Sequence, residues 1–271
     1  MKLFKFFFEF YLSSSLHVSF SVWALYKVSF IYSNSTENLY LDGLIITSSI
    51  VGYNLIKYGS IYLKNNLSIS KSITFITFLS FLVGVWCFFN IHLLTQFIFI
   101  ISFILVILYV IPNPSSNKNL RNSYGVKIFL VAFAWTLVSH FSLSVHINIT
   151  EFDQNIIMAI QRFIFVLVAT IPFEIRDSKT DESGLGTLPQ RFGIFKSKLL
   201  GVSLLIINTY LLYYILEINM IFKIIESFIY LILSYGLLVS SSNKTLNFTR
   251  FWIEGIPIFW IFILLILNRL F

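Results

Sequence analysis

Residues 73–112 read ITFITFLSFLVGVWCFFNIHLLTQFIFIISFILVILYVIP. No Asp, Glu, Lys or Arg interrupts them. An α-helix carries such a run through hydrocarbon because it satisfies its own backbone N–H and C=O groups. A bilayer core roughly 30 Å thick takes about 20 helical residues per crossing. The run therefore supplies two crossings, and it breaks most naturally at Asn90-Ile91-His92. This predicts an all-α membrane protein.

The same ruler applied outward places spans at 14–33, 41–63, 72–91, 93–112, 126–146, 155–175, 198–217, 220–240 and 251–270. Nine spans result, and Lys27 and Glu226 interrupt the first and the eighth. Composition agrees: of 271 residues, 57% are hydrophobic and 11% charged, with 31 Phe. A soluble domain has about 45–50% apolar and about 25% charged residues. Residues 1–271 are read as one transmembrane domain. Met1-Lys2-Leu3-Phe4-Lys5 leads into an interfacial segment with no small-residue cleavage site, so no cleavable signal peptide is expected. Cys87, the single cysteine, lies inside a span and has no partner for an intramolecular disulfide.

The net charge of +7 is distributed by loop. Lys2, Lys5, Lys64, Lys71, Lys118, Arg121, Lys127, Arg176, Lys179, Arg191, Lys196, Lys198, Lys244 and Arg250 fall on one side, 14 of the 19 basic residues. The other side carries Glu37, Asp42, Glu151 and Asp153, with Lys223 and Arg269 as its basic residues. The positive-inside rule then predicts a cytoplasmic N-terminus and, after nine spans, a C-terminus outside. The basic excess is a topology signal and implies no nucleic-acid partner. Sequons at Asn34, Asn66, Asn148 and Asn247 fall on both sides of this topology, so they cannot all be glycosylated.

One stretch combines acids, bases and glycines beyond what topology needs: Pro172-Phe-Glu-Ile-Arg-Asp-Ser-Lys-Thr-Asp-Glu-Ser-Gly-Leu-Gly-Thr-Leu-Pro-Gln-Arg-Phe-Gly193. Glu174, Asp177 and Asp181 are three and four residues apart and would stack on one face if the helix ran that far. Clustered carboxylates repel unless a cation sits among them. Mg²⁺ is the hard cation that takes one or two carboxylates plus substrate phosphate oxygens. Gly184 and Gly186 would end the helix, and Thr187-Leu188-Pro189 would redirect the chain. On the residues alone, the alternative of juxtamembrane charges solvating a helix end stays open.

The run Glu174-x-x-Asp177-x-x-x-Asp181, with Gly184, Thr187-Leu188-Pro189 and Phe192-Gly193 after it, resembles the second aspartate-rich motif of the UbiA superfamily of intramembrane prenyltransferases. That family usually has Asp where this chain has Glu174. Tyr109-x-x-Pro112, Leu120-Arg121 and Gly125-x-Lys127 resemble its connection between the fourth and fifth helices. The resemblance implies a nine-helix bundle around a lipid-accessible cavity, with Mg²⁺ and the diphosphate of an isoprenyl donor held at the cytoplasmic mouth. It further implies metal binding by Glu174, Asp177 and Asp181, of which Asp177 and Asp181 would be catalytic. Arg121, Lys127, Lys179 and Arg191 would contact diphosphate.

The family's first motif, Asn-Asp-x-x-Asp-x-x-x-Asp, maps to Asn54-Leu-Ile-Lys-Tyr-Gly-Ser-Ile-Tyr62. Asn54 fits, but Leu55, Tyr58 and Tyr62 replace the aspartates, which argues against the usual two-metal site. Asn54, Lys57 and Tyr58 are the substrate-binding candidates here. Lys57 either snorkels to the interface or pairs directly with a diphosphate in place of the lost metal. Elsewhere, Arg162 is expected to snorkel or to pair with Glu226, and Lys27 to do likewise. Glu254, at the start of the last span, either approaches the cavity or is a solvated helix end. His17, His92, His140 and His146 lack metal-ligand spacing, and no Ser has nucleophile-elbow context. Three functions follow: a prenyltransferase moving an isoprenyl group to an acceptor; a non-catalytic relative binding a prenyl lipid or quinone-like ligand; or an unrelated transporter or scaffold. Against the last, no paired Gly/Pro-broken helices occur in corresponding halves.

Overall fold

The apolar run of residues 73–112 divides where expected. The computed structural model describes residues 2–33, 37–63, 70–112, 119–146, 152–181 and 184–267. Among the described residues ten helices are found: α1 (Lys2–Ser13), α2 (Leu16–Tyr32), α3 (Leu39–Leu63), α4 (Lys71–Phe89), α5 (Leu93–Val110), α6 (Lys127–His146), α7 (Phe152–Asp177), α8 (Leu188–Tyr214), α9 (Met220–Val239) and α10 (Phe248–Leu267). No strand occurs among the described residues. Between α4 and α5, Asn90 Nδ2 donates to the Trp86 carbonyl at 2.9 Å, and His92 Nδ1 accepts the Leu94 N–H at 3.4 Å. Local side-chain bonds of this kind satisfy helix-end groups that have no intrahelical partner.

Eight helices, α3 to α10, are long and apolar enough to cross a membrane, which makes this an integral multi-pass membrane protein. The first expected span is α2, which at 17 residues is shorter. It nevertheless runs antiparallel to α3 through its depth. Ser15, just before α2, bonds Asn54 near the end of α3 at 2.7 Å, while Lys27 late in α2 meets Asp42 at the start of α3 at 3.0 Å. Helix α1 leaves Leu3, Phe4, Phe6 and Phe7 exposed, as an interfacial segment does.

The corner between α1 and α2 explains the replaced motif in α3. Ser15 is the one non-glycine residue with positive φ (65°) among the described residues. Asn54 Oδ1 accepts its hydroxyl, and Asn54 Nδ2 donates to the Ser14 carbonyl at 3.2 Å and to Thr77 at 2.8 Å. Lys57 Nζ donates to the Leu12 carbonyl at 3.1 Å, and Tyr58 Oη to the Ser13 carbonyl at 2.8 Å. The last carbonyls of α1 have no intrahelical donors, and α3 supplies them.

Two of the charges inside the bundle are paired across helices. Arg162 and Glu226, both buried, lie 3.7 Å apart. Arg162 Nε reaches Ser29, Tyr230 donates to Glu226, and the Trp260 ring lies 4.6 Å from the guanidinium. Arg162 thus pairs and does not snorkel. Lys27 pairs with Asp42 and also reaches Glu37 at 3.4 Å. Ionisable groups in a membrane interior generally face one another in this way.

Two apolar cores result. One gathers α2, α6, α7, α8, α9 and α10 around Trp260, Phe165 and Leu233; the other joins α2, α3, α4, α5 and α6 around Tyr26, Leu41 and Ile45. Trp135 of α6 packs against both. Helices α4 and α5 expose Phe78, Trp86, Phe97 and Phe103, the faces that meet lipid.

Two helices depart from the sequence reading. The seventh span was expected at 198–217, but α8 begins at Leu188 and bends at Gly193, whose φ is +79°. The region of the three carboxylates departs as well. Helix α7 ends at Asp177, so Asp181 lies in the following turn and does not share a helical face with Glu174 and Asp177. The N–H groups of Thr180 and Asp181 both bond the Asp177 carbonyl, which closes that turn. Of the sequons, Asn34, Asn66 and Asn148 lie outside the described residues.

Candidate functional site

The α5–α6 and α7–α8 connections meet at one end of the bundle. The Gly125 N–H donates to the Leu185 carbonyl at 2.8 Å, joining one loop to the other. Gly186 has φ +62°, and a β-carbon there would come within 2.4 Å of the Tyr124 ring. Only glycine permits that approach. Asn119 shapes the first loop, accepting the Asn122 N–H at 3.0 Å and donating to the Val110 carbonyl at 3.2 Å.

Between the loops lies a polar cavity of about 310 Å³, lined by Asn119, Arg121, Asn122, Lys127, Thr180, Asp181 and Leu185. Arg121 and Lys127 make no hydrogen bond or ion pair with the described residues. Asp181 Oδ2 is buried without a hydrogen-bond partner among the described residues. Burial raises the Asp181 carboxyl above the ordinary aspartate range; Lys127 pulls it back down and Asp177 adds to the rise. Two unpaired cations and an unsatisfied carboxylate around a small polar space suit a compact polyanion together with a hard cation.

Lys127 opens α6 and faces a second space as well. An apolar cavity of about 170 Å³ is lined by Lys127, Glu174 and Glu254, by Tyr53, Tyr109, Trp135, Phe165 and Phe173, and by aliphatic residues. Beyond it, a cavity of about 110 Å³ shares Tyr53, Ile56, Val131 and Trp135 with the first. Ser48, Phe99 and Phe103 then connect that cavity to a groove of about 400 Å³ between α3, α4 and α5. The polar cavity, the two apolar cavities and the lipid-facing groove thus follow one another, each sharing lining residues with the next.

The expected site residues divide. Arg121, Lys127 and Asp181 meet in the polar cavity. Glu174 lines the apolar cavity, is buried, and accepts the Leu188 N–H at 2.9 Å, which caps the start of α8. Asp177 is held by Arg176, Nε–Oδ1 at 2.6 Å and Nη2–Oδ2 at 2.8 Å, while Arg176 also bonds Thr249. Among the described residues, no three His, Cys, Asp or Glu side chains come together to hold a metal ion. Lys179 bonds Asn243 at 2.9 Å, and Arg191 stacks over Tyr124 and Phe192; neither lines the polar cavity. Asn54, Lys57 and Tyr58 do not line it either, since their donors go to the α1–α2 corner.

Of the two expectations for Glu254, approach to the cavity is the one found: it lines the apolar cavity, within electrostatic range of Lys57. It follows the π stretch Phe248–Ile253, and its N–H bonds the Thr249 carbonyl five residues back at 3.1 Å. The extra residue in that turn rotates Glu254 away from where a regular 3.6 period puts it. Tyr53 and Trp135 carry no local sequence signal, because isolated aromatics in a span look the same facing lipid or a cavity.

No family model matches the chain and no curated protein matches it. Among solved structures, that of digeranylgeranylglyceryl phosphate synthase in membranes is similar in fold, with a TM-score of 0.58 and 16% identity over 92% of this chain and 93% of that one. This chain therefore has the fold of that intramembrane synthase, the bundle that the resemblance implied.

Proposed function

We propose that this protein is a divergent prenyltransferase of the UbiA superfamily, moving an isoprenyl group from a prenyl diphosphate to an acceptor. One observation carries the reading: Lys127 lines the polar cavity and the apolar cavity at once, so a single ligand with an anionic head and a hydrocarbon tail fits across it. The similarity in fold to an intramembrane synthase supports the same reading.

Arg121 and Lys127 bind the diphosphate and stabilise the charge that grows on it as the allylic C–O bond breaks and the bonding pair leaves with the oxygen. Tyr109, Phe165 and Phe173 surround the space beside the head group and exclude water from the electron-poor carbon. The acceptor's nucleophilic atom forms the new bond to that carbon and loses a proton. Glu254, whose carboxylate faces the same cavity, is placed to accept it. Asp181, with its unsatisfied oxygen, would hold a Mg²⁺ ion, which when bound would neutralise diphosphate charge, whereas both oxygens of Asp177 are taken by Arg176. Glu174 positions the loop through the start of α8. The polar mouth faces the cytoplasm and the C-terminus lies on the opposite side, as the basic loops require.

A second reading, a non-catalytic protein holding a prenyl lipid or quinone-like ligand, draws on a specific observation. Asn54, Lys57 and Tyr58, at the position of the family's first motif, are engaged by backbone carbonyls. Incubating purified protein with geranyl, farnesyl and geranylgeranyl diphosphates plus Mg²⁺ separates the two. Diphosphate release that disappears in Asp181→Ala supports turnover. Binding without release from any donor moves the protein to the second reading.

A further inference from the structure

The apolar space beside the mouth is short. An apolar cavity of about 150 Å³ accommodates a molecule the size of benzene, so the 170 Å³ beside Lys127 matches about one five-carbon unit. A longer tail must continue into the 110 Å³ cavity and the groove beyond it. The boundary is formed by Tyr53 and Trp135 with Ile56 and Val131, the residues common to the two cavities.

Tyr53 and Trp135 are tied across that boundary. Trp135 Nε1 donates to Tyr53 Oη at 2.5 Å, and the rings meet edge to face, 6.4 Å between centroids at 83°. The indole's single polar atom is satisfied by Tyr53 Oη, so Trp135 cannot swing aside without leaving its N–H unpaired in an apolar space. Trp135 is further held by packing against both apolar cores.

We propose that the Tyr53–Trp135 pair is a partition that sets the length of isoprenyl tail the protein accepts, with longer tails routed past Ser48 toward the lipid-facing groove. This rests on the reading of the cavity as a prenyl-diphosphate site. Removing the indole joins the two cavities, whereas filling the far side at Ser48, which lines both the 110 Å³ cavity and the groove, shortens the path.

The test is isothermal titration of purified protein, in Mg²⁺, with geranyl, farnesyl and geranylgeranyl diphosphates. Trp135→Ala is expected to raise affinity for geranylgeranyl relative to geranyl diphosphate by about tenfold over the native protein, the scale on which apolar pockets discriminate added carbons. Ser48→Phe is expected to lower the same ratio by about as much. If both variants bind diphosphates with the native ratio, the partition is overturned and the prenyl-diphosphate reading stands. If the native protein binds none of the three, both fall together. Should Trp135→Ala fail to fold, Ser48→Phe decides alone, and an unchanged ratio there overturns the proposal.

Discussion

Asp181 is the residue on which the mouth depends. Its Oδ2 is buried without a partner, and burial raises its carboxyl above the usual range while Lys127 opposes the rise. The charge beside the cavity acts in two directions. It repels a bare diphosphate and attracts a hard cation that bridges to one. Asp181→Asn is therefore expected to strengthen diphosphate binding in the absence of Mg²⁺ and to weaken it in its presence, by about tenfold each way. Titrations with and without chelator check the sign, and equal shifts in both conditions would exclude a cation at Asp181. Its candidacy was legible in the spacing of the acidic run. Its separation from Glu174 was not, because helix α7 stops at Asp177 and the following turn carries Asp181 into the cavity. The bonds that the lysine and tyrosine of the replaced motif make were not legible, because the carbonyls of Leu12 and Ser13 that accept them are presented by another helix.

At the scale of elements, α2, α7 and α9 are joined by the Arg162–Glu226 pair, which Tyr230, Ser29 and Trp260 surround. Removing one member leaves an uncompensated charge in an apolar bundle, a loss of about 3–5 kcal/mol. Arg162→Met is expected to destabilise the detergent-solubilised protein by that amount, measured by denaturant unfolding. Arg162→Met with Glu226→Leu should recover most of the loss. A double variant no more stable than the single one would show that the pair contributes beyond charge compensation. Both residues were visible as charges within predicted spans. Their pairing across elements far apart in sequence was one of two sequence expectations for Arg162, and burial decides for it. The π stretch before Glu254 is a second element-scale effect, since it decides between the two expectations for that residue by turning it toward the cavity.

Across the whole molecule, alternate connections gather at opposite ends. The mouth end holds Lys57, Arg121, Lys127, Arg176 and Lys179. The far end joins Asn38 to His146 at 3.0 Å and Gln154 to the Ile215 carbonyl at 3.1 Å. This is the alternation that the distribution of Lys and Arg predicts. A reporter inserted between residues 150 and 154 is expected to be accessible from the non-cytoplasmic side. Cytoplasmic accessibility there would invert the orientation and place the mouth outside.

By itself the sequence determined that the chain crosses a membrane repeatedly as helices, where most of them begin and end, and which connections carry the acids and bases. Those properties follow from the length of apolar runs and from local charge, which neighbouring residues settle among themselves. Only the tertiary structure decided which polar groups remain unpaired. Asn54, Lys57, Tyr58 and Glu174 find backbone partners on other elements. Arg121, Lys127 and Asp181 are brought to one cavity with their binding capacity intact. In a medium without water, every polar group must find its partner inside the protein. What is left for a ligand is therefore set by which helices lie side by side, a property that no single stretch of sequence contains.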